Sequence, residues 1–147
     1  MVSTKLIGKL FTSRQKAIDL YDTQAEAIQE RVFQKLIQNA AHTEWGTTYQ
    51  YNAIRSYSDF QKVPIQTYED IKGYVDRMRH GEANVLWRDK VVWYAKSSGT
   101  TNDKSKFIPV SKDGLQNIHY KGGQDAVALY LRENPQSRFF SGKGLIL

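Results

Sequence analysis

Apolar residues recur at helical spacing in the first third of the chain. Between residues 24 and 41 they return every three or four positions, which places their side chains on one face of a helix. Thr23 and Glu26 have the spacing of a capping box, so we predict a helix over 24–41, preceded by a shorter helix that begins near Thr12. Gly46 is predicted to end this region. The predicted buried face comprises Ala25, Ile28, Val32, Phe33, Leu36, Ile37 and Ala40.

A second amphipathic stretch begins at Thr67. An acidic residue follows three positions later, which is again a capping pattern, and Gly81 is placed to close the helix. Upstream, Ser56 or Ser58 is predicted to cap a single turn that runs through Phe60. The predicted buried face of the Thr67 helix comprises Tyr68, Ile71, Tyr74, Val75 and Met78.

β-branched and aromatic residues mark short strands in the second half of the chain. Residues 91–94 and 107–110 are the two clearest strands, and 85–87 is a weaker one. Pro109 cannot donate a backbone hydrogen bond, so the 107–110 strand is expected to be short, bulged or at a sheet edge. The residues between the two clear strands are therefore predicted to form an exposed, mobile loop.

A third long helix is predicted from Ser111, its N-cap, to the pair Asn134–Pro135. Glycine in a helix costs about 1 kcal/mol relative to alanine. We therefore expect either the close approach of another backbone at Gly122 and Gly123 or a break there. The predicted apolar stripe comprises Leu115, Ile118, Gly122, Ala126 and Leu129.

Composition narrows the class of protein. A chain of 147 residues, 40% hydrophobic and 24% charged, is long enough to bury a core and has the balance of an ordinary globular protein. It has no apolar run of the ~20 residues that span a bilayer. The sequence contains no cysteine, which excludes a disulfide framework and a thiolate metal site. We predict a cytoplasmic protein without a membrane partner.

The net charge of +6 comes from scattered lysines and arginines with no long basic run. No nucleic-acid-binding motif accompanies this charge, so we predict no nucleic-acid partner; the charge suits an anionic nucleotide instead. The three histidines, His42, His80 and His119, lack the spacing of metal ligands. No metal-ligating residue is therefore predicted.

The segment between the two clear strands is rich in groups that bind phosphate. Hydroxyl side chains donate short hydrogen bonds, glycine lets backbone N–H groups approach an anion, and lysine adds a mobile positive charge. The pattern is not a Walker A loop, which needs a second glycine and a following helix, and it is not a dinucleotide fingerprint. The candidate phosphate-binding residues are Ser97, Ser98, Gly99, Thr100, Thr101, Lys104 and Lys106.

The run Ser97-Ser-Gly-Thr-Thr101, closed by Lys106, resembles the phosphate loop of the adenylate-forming superfamily. The commonest members of that superfamily place the closing lysine one residue earlier. The longer spacing, with the sequel Phe-Ile-Pro-Val-Ser, is similar to the Gretchen Hagen family of auxin-responsive acyl-acid amido synthetases and its bacterial relatives. Three upstream stretches, 43–46, 60–71 and 81–84, are similar to the same family, so the likeness covers most of the chain.

The resemblance implies an α/β fold in which long helices surround short strands, as the N-terminal part of an adenylate-forming enzyme. Residues 1–147 would then be an N-terminal fragment of the large domain, with a helical region over 12–80 and a phosphate-loop region over 85–147. The apolar run 139–147 leads us to expect further chain and a fold that is incomplete at its C-terminal end. An uncovered strand edge there would favour self-association of the fragment.

The resemblance also implies a reaction. ATP, with Mg²⁺, and a small carboxylic acid would give an acyl-adenylate, and an amine or amino acid would then attack to give an amide. The candidate loop residues would hold the phosphates, and we identify no acid, base or nucleophile. Two alternatives are an acyl-CoA-type ligase, which shares the first step, and a catalytically incomplete fragment that associates with itself. The 147-residue chain alone is expected to be inactive.

Overall fold

The computed structural model describes residues 11–97 and 105–141. These residues form a mainly helical structure with one two-stranded sheet, which confirms the predicted combination of long helices and short strands. The described residues group into two compact units. The hairpin unit comprises the residues from Gln29 to Leu115, and the helical unit comprises those up to Ile28 together with those from Gln116 onward.

The helices and strands are numbered in chain order. The helices are α1 (Thr12–Ala40), α2 (Glu44–Thr48), α3 (Tyr57–Phe60), α4 (Tyr68–Arg79), α5 (Lys112–Gly114) and α6 (Lys121–Glu133). A π-helical segment, Leu115–Tyr120, joins α5 to α6, and short 3-10 turns occur at Tyr51–Ala53 and Phe139–Ser141. The strands are β1 (Trp93–Lys96) and β2 (Phe107–Val110).

Helix α1 contains both of the helices predicted at the start of the chain. It is kinked at Gln24, whose φ of −130° and ψ of 22° are not helical, directly after the predicted cap at Thr23. The capping signal therefore marks a kink between two helical arms. Of the predicted buried face, Ile37 and Ala40 are buried, whereas Val32 and Leu36 are about half exposed. The face prediction holds only near the end of α1.

The prediction that Gly46 ends the first helical region is wrong, because α1 already ends at Ala40 and Gly46 lies inside α2. Thr43 caps α2: its buried hydroxyl donates to the Ala40 carbonyl at 2.7 Å and accepts from the Gly46 N–H at 3.0 Å. A Cβ on Gly46 would lie 2.0 Å from the Ala40 carbonyl oxygen. Glycine is therefore needed for a close helix–backbone contact.

The predicted caps of the next two helices are confirmed. Ser56 caps α3 in a reciprocal arrangement with Asp59. The carboxylate of Asp70 accepts hydrogen bonds from the N–H and hydroxyl of Thr67 at the start of α4. At its end, Gly81 adopts a φ of 96°, and the N–H groups of residues 81 and 82 donate to the last turn in a Schellman pattern. Such ends satisfy backbone groups that a helix leaves unpaired.

Strands β1 and β2 form an antiparallel hairpin whose paired positions run from Trp93 opposite Val110 to Lys96 opposite Phe107. The 107–110 prediction is confirmed, and the first strand lies two residues later than predicted. The weak strand predicted at 85–87 is wrong, since this stretch consists of bends. Its apolar side chains pack against the core, and its backbone does not pair in a sheet.

The 85–87 stretch packs inward and closes the start of α2. The carbonyls of Asn84 and Val85 accept hydrogen bonds from the N–H groups of Glu44 and Trp45. Val85 is 1% exposed and clusters with Met78 of α4 and with Val91 just before β1. The partly buried side chains around this core are Tyr74, Leu86, Trp87 and Tyr94. The cluster fixes α4 against the start of the hairpin.

The third long helix begins at Ser111 as predicted, with the hydroxyl of Ser111 accepting from the Gly114 N–H at 3.0 Å. The π-helical segment then adds residues per turn and shifts the phase of everything after it. The predicted stripe is therefore wrong in its middle: Ile118 is 75% exposed, and Gly122 and Ala126 are exposed too, whereas Leu115 and Leu129 are partly buried. The buried residues of α6 are Ala128 and Leu131.

Both expectations for the glycine pair are wrong as well. The helix continues through Gly122 and Gly123, and a Cβ at either position would lie more than 4 Å from every described atom outside the helix's own backbone and the neighbouring residues. Polar contacts add to the burial of Ala128 and Leu131 in holding α6 in the helical unit: Arg14 of α1 donates two hydrogen bonds to the Asp125 carboxylate, at 2.7 and 2.8 Å. Helix α6 ends at Glu133, just before the predicted Asn134.

Candidate functional site

The base of the candidate loop is closed by two hydrogen bonds between Ser97 and Lys106. The Ser97 N–H donates to the Lys106 carbonyl at 3.0 Å, and the Lys106 N–H donates to Ser97 Oγ at 3.2 Å. These bonds continue the β1–β2 pairing by one step, so the two residues form the stem of the loop. The stem fixes where the chain leaves and re-enters the sheet.

The predicted site residues divide into two groups. Ser97 and Lys106 are brought together at the stem, as the sequence pattern required for a loop joining two strands. The predicted loop conformation, with its exposure and mobility, lies outside the described residues. So do the remaining candidates, Ser98, Gly99, Thr100, Thr101 and Lys104. Their phosphate-binding role, like that of Ser97 and Lys106, stays a prediction.

The hydrogen bond to Lys106 does not use the hydrogen of the Ser97 hydroxyl. A serine oxygen has two lone pairs and one hydrogen, and accepting the Lys106 N–H occupies only one lone pair. Its hydrogen can therefore still be donated to an anion. Ser97 is partly buried, so such a bond would form in a site with restricted access to water.

Helix α4 supports the stem from outside the hairpin. Tyr68, the first residue of α4, accepts a hydrogen bond from the Phe107 N–H at 3.0 Å, and its hydroxyl lies 3.5 Å from the Phe107 carbonyl oxygen. Arg79, the last residue of α4, places its guanidinium carbon 3.7 Å from the centre of the Phe107 ring. Both ends of the helix therefore contact the first residue of β2.

The stem lysine also contacts α4. The ammonium nitrogen of Lys106 lies 5.5 Å from the centre of the Tyr68 ring, within the range of a cation–π interaction. Tyr68 thus contacts the backbone of Phe107 through its hydroxyl and the charge of Lys106 through its ring. The pattern of the sequence did not reveal these contacts, because Tyr68 and Phe107 are 39 positions apart. The one signal in the sequence was the hydroxyl of Tyr68, a polar group on the predicted apolar face of α4.

The arginines at the end of α4 have local partners. Arg77 bridges the carboxylates of Glu44 and Glu82, and its hydrogen bonds hold the pKa of both carboxyl groups below their usual range. Arg79 is 3.2 Å from the Asp76 carboxylate in addition to its stacking on Phe107. Burial raises the pKa of Tyr94 on the adjoining strand. The last turn of α4 is therefore a structural junction.

Two further properties bear on the predicted cofactors and on membranes. Within residues 11–97 and 105–141, no three His, Asp or Glu side chains lie together in a way that could hold a metal ion. Mg²⁺ therefore stays a prediction that rests on the resemblance. None of the helices in the described part of the chain combines the length and apolar character needed to cross a bilayer.

Comparison with known proteins gives a consistent family of relatives. The family model described as the GH3 family N-terminal domain matches residues 14–147. The chain is 28% identical over 116 residues to indole-3-acetic acid-amido synthetase GH3.15 of Arabidopsis thaliana, covering 76% of this chain and 20% of that protein. It is 31% identical to indole-3-acetic acid-amido synthetase GH3.8 of Oryza sativa subsp. indica, covering 67% and 16%.

A third relative has a different named substrate. The chain is 29% identical to jasmonoyl-L-amino acid synthetase JAR4 of Nicotiana attenuata, covering 63% of this chain and 16% of that protein. The matched region therefore spans about one fifth or less of each of these relatives. By their names, two of these proteins are amido synthetases of indole-3-acetic acid and the third is a synthetase of jasmonoyl-L-amino acids.

Proposed function

The chain belongs to the GH3 family, and on that premise we propose that it forms the N-terminal part of an ATP-dependent acyl-acid amido synthetase. In the first step a carboxylate oxygen attacks the α phosphorus of ATP and pyrophosphate leaves. In the second step an amine attacks the acyl carbon, an amide bond forms and AMP leaves. We further propose the adenylate-forming fold for the complete domain.

The observation that carries this proposal is the closed stem at Ser97 and Lys106. It brings the two ends of a hydroxyl-rich segment together on a hairpin, in a chain that matches the family over residues 14–147. A rigid stem is what a phosphate-binding loop needs, because donors stabilise a transition state only when they are already in place. The stem belongs to the hairpin unit, which carries the Met78–Val85–Val91 core.

The residues of the chain suit electrostatic catalysis. Hydroxyl groups of the loop would donate to the β and γ phosphates, and the Lys106 ammonium would offset their negative charge. ATP, when bound, supplies the activated phosphorus and the leaving group. Orientation of the pyrophosphate would favour attack at the α phosphorus, so the mechanism needs no nucleophile from the protein. No carboxylate cluster of the described residues suits Mg²⁺, so we assign the ion no ligand among them.

Amide formation is preferred to thioester formation with coenzyme A. The two reactions share the adenylation step, and the relatives described above are named as amido synthetases or amino acid synthetases. A further relative is named as a ligase of 4-substituted benzoates and glutamate. The substrates are therefore a small carboxylic acid and an amine, with an amino acid as the first candidate acceptor.

The test is pyrophosphate exchange into ATP by the full-length protein that carries this chain. Indole-3-acetic acid, jasmonic acid and 4-substituted benzoic acids are supplied in turn, and the amide is then sought by mass spectrometry with a panel of amino acids. Ser98→Ala and Thr101→Ala should each slow exchange about 10- to 100-fold, because each removes one transition-state donor worth ~1–3 kcal/mol. Ser58→Ala, an exposed serine in α3, is the control and should exchange normally.

Several outcomes would contradict the proposal. Acid-dependent exchange that is unchanged in both loop variants would place the phosphates elsewhere. Product formation with coenzyme A and none with amino acids would favour the thioester ligase. Self-association of the 147-residue chain stays a prediction, which sedimentation of that chain can test.

A further inference from the structure

Tyr68 covers an exposed strand edge next to the stem. In an antiparallel strand the N–H and C=O of one residue point to the same side. Lys106 directs both groups toward Ser97, so the N–H and C=O of Phe107 point away from β1. Among the described strands β2 pairs only with β1, and the Tyr68 hydroxyl takes the place of a third strand at Phe107. This hydroxyl holds β2 at the point where the loop re-enters the sheet.

The ring of Tyr68 contacts the side chain of Lys106, the residue just before Phe107. The Lys106 ammonium lies 5.5 Å from the ring centre, and a lysine side chain otherwise has several rotatable bonds. The ring restricts this freedom by attracting the charge to its face. One tyrosine therefore constrains both the backbone after the stem and the charge on the stem.

Tyr68 is less buried than the core residues of α4. The buried residues of this helix are Val75 and Met78, at 0% and 1% exposure, whereas Tyr68 is only partly buried. The start of α4 is closed by Thr67 and Asp70, which do not depend on the Tyr68 hydroxyl. A substitution of Tyr68 can therefore alter its contacts with Phe107 and Lys106 while α4 stays folded.

We propose that Tyr68 is a positioning residue for the phosphate loop: its hydroxyl fixes the start of β2 and its ring directs the Lys106 ammonium. This inference rests on the proposed function and adds a residue outside the loop to its phosphate-binding machinery. The role is indirect, because Tyr68 acts on ATP only through Phe107 and Lys106. Removal of the tyrosine should thus raise the KM for ATP and leave the KM for the carboxylic acid unchanged.

The kinetic test compares two substitutions in the full-length protein. Tyr68→Phe keeps the ring and removes the hydroxyl, and the KM for ATP should rise about 2- to 10-fold, as expected for one net hydrogen bond. Tyr68→Leu also removes the cation–π contact, and the KM should rise further, by about 10- to 50-fold in total. The KM for the acid should stay within about 2-fold in both. Tyr57→Phe, an exposed tyrosine of α3, is the matched control.

A second measurement does not depend on activity. Hydrogen exchange followed by mass spectrometry, on the full-length protein without nucleotide, should be faster in Tyr68→Phe for peptides that contain Phe107, and unchanged for peptides from α2. A double-mutant cycle with Lys106→Met should also be non-additive. Once the ammonium is gone, the ring has nothing to direct, so Tyr68→Leu and Tyr68→Phe should then raise the KM for ATP equally.

The outcomes separate this inference from the function on which it rests. A wild-type protein that exchanges pyrophosphate with none of the acids overturns the proposed function. An active wild type whose Tyr68 variants keep the KM for ATP, or change the two KM values together, overturns the positioning role. Unchanged exchange at Phe107 overturns the assigned hydroxyl contact. If Tyr68→Leu does not fold, Tyr68→Phe alone decides, since it removes one oxygen atom.

Discussion

The hairpin unit and the helical unit are stabilised in different ways. In the hairpin unit, Val75, Met78 and Val85 are at most 1% exposed, and hydroxyl and carboxylate caps close the helix ends. In the described part of the helical unit the buried residues are Ala128 and Leu131, and its long-range hydrogen bonds include the ion pair of Arg14 with Asp125. One unit depends mainly on apolar burial and the other relies more on polar contacts.

This difference explains where a candidate site can be built. Donors that stabilise a transition state must be held within a fraction of an ångström, and packed elements hold geometry better than exposed polar contacts do. The loop stem at Ser97 and Lys106 belongs to the hairpin unit, which has the packed core. Substitutions in each unit test this contrast.

Met78→Ala should cause the largest loss of stability. Met78 is 1% exposed in the cluster between α4 and the hairpin, and removing a buried side chain of this size costs about 2–5 kcal/mol. Ile65→Ala, at a fully exposed position, is the control and should change the free energy of unfolding by less than about 0.5 kcal/mol. Urea unfolding measures both. Equal losses in the two variants would mean that the hairpin unit has no packed core.

Thr43→Ala should destabilise the hairpin unit by about 1–2 kcal/mol. The Thr43 side chain is completely buried and links the end of α1 to the start of α2 through hydrogen bonds at 2.7 and 3.0 Å. Thr43→Ser keeps the hydroxyl and is the matched control, which urea unfolding should find closer to wild type. If serine were as harmful as alanine, the methyl group and not the cap would account for the effect.

The local signals of helix ends were the most reliable part of the sequence. Ser56, one of the two predicted caps, begins α3, the pair of Thr67 and Asp70 lies where its spacing predicted, and Gly81 closes α4 with a positive φ. These features depend on residues three or four positions apart, so a single sequence contains all the information. The kink at Gln24 follows the same logic, since a capping signal inside a long helix interrupts it.

The failures arose where the outcome depended on distant residues or on an unusual helix. Nothing in the sequence around Val85 indicates that the carbonyls of Asn84 and Val85 cap α2. The π-helical segment broke the 3.6-residue counting that placed Ile118 on a buried face. The candidate loop is predicted from its composition and stays a prediction, whereas the contacts of Tyr68 and Arg79 with Phe107 join positions far apart in the chain. Periodicity within one element cannot report such contacts.

Asp125→Asn should destabilise the helical unit by about 1 kcal/mol. The pair of Arg14 and Asp125 is about four-fifths buried and has two short hydrogen bonds, and the bond from Arg14 to Asp125 is the main reason that the pKa of Arg14 is raised. Asp19→Asn breaks the exposed pair with Arg132 in the same unit and is the control. Its expected loss is below about 0.5 kcal/mol.

Urea unfolding of both variants at low and high salt would sharpen the comparison. The contribution of the exposed pair should disappear in salt, whereas that of the partly buried pair should largely persist. Identical effects of the two substitutions would mean that exposure does not govern the strength of ion pairs in this unit. The helical unit would then depend less on Arg14 than its geometry indicates.

The smallest expected effect is a loss of stability of the hairpin unit at acid pH. Hydrogen bonds from Lys62, the Arg55 N–H and Ser56 lower the pKa of Asp59 from 3.8 to about 2. A carboxyl group whose pKa is lower in the folded state stabilises the fold above its unfolded pKa, and this contribution is lost as the pH falls toward the folded value. Stability should therefore decline between about pH 4 and pH 2, and Asp59→Asn should flatten that part of the curve. Urea unfolding midpoints at pH 5, 4, 3 and 2 measure this decline, and Asp89→Asn, at an exposed position, is the control. Parallel curves for wild type and Asp59→Asn would exclude the cap of α3 as a source of acid sensitivity.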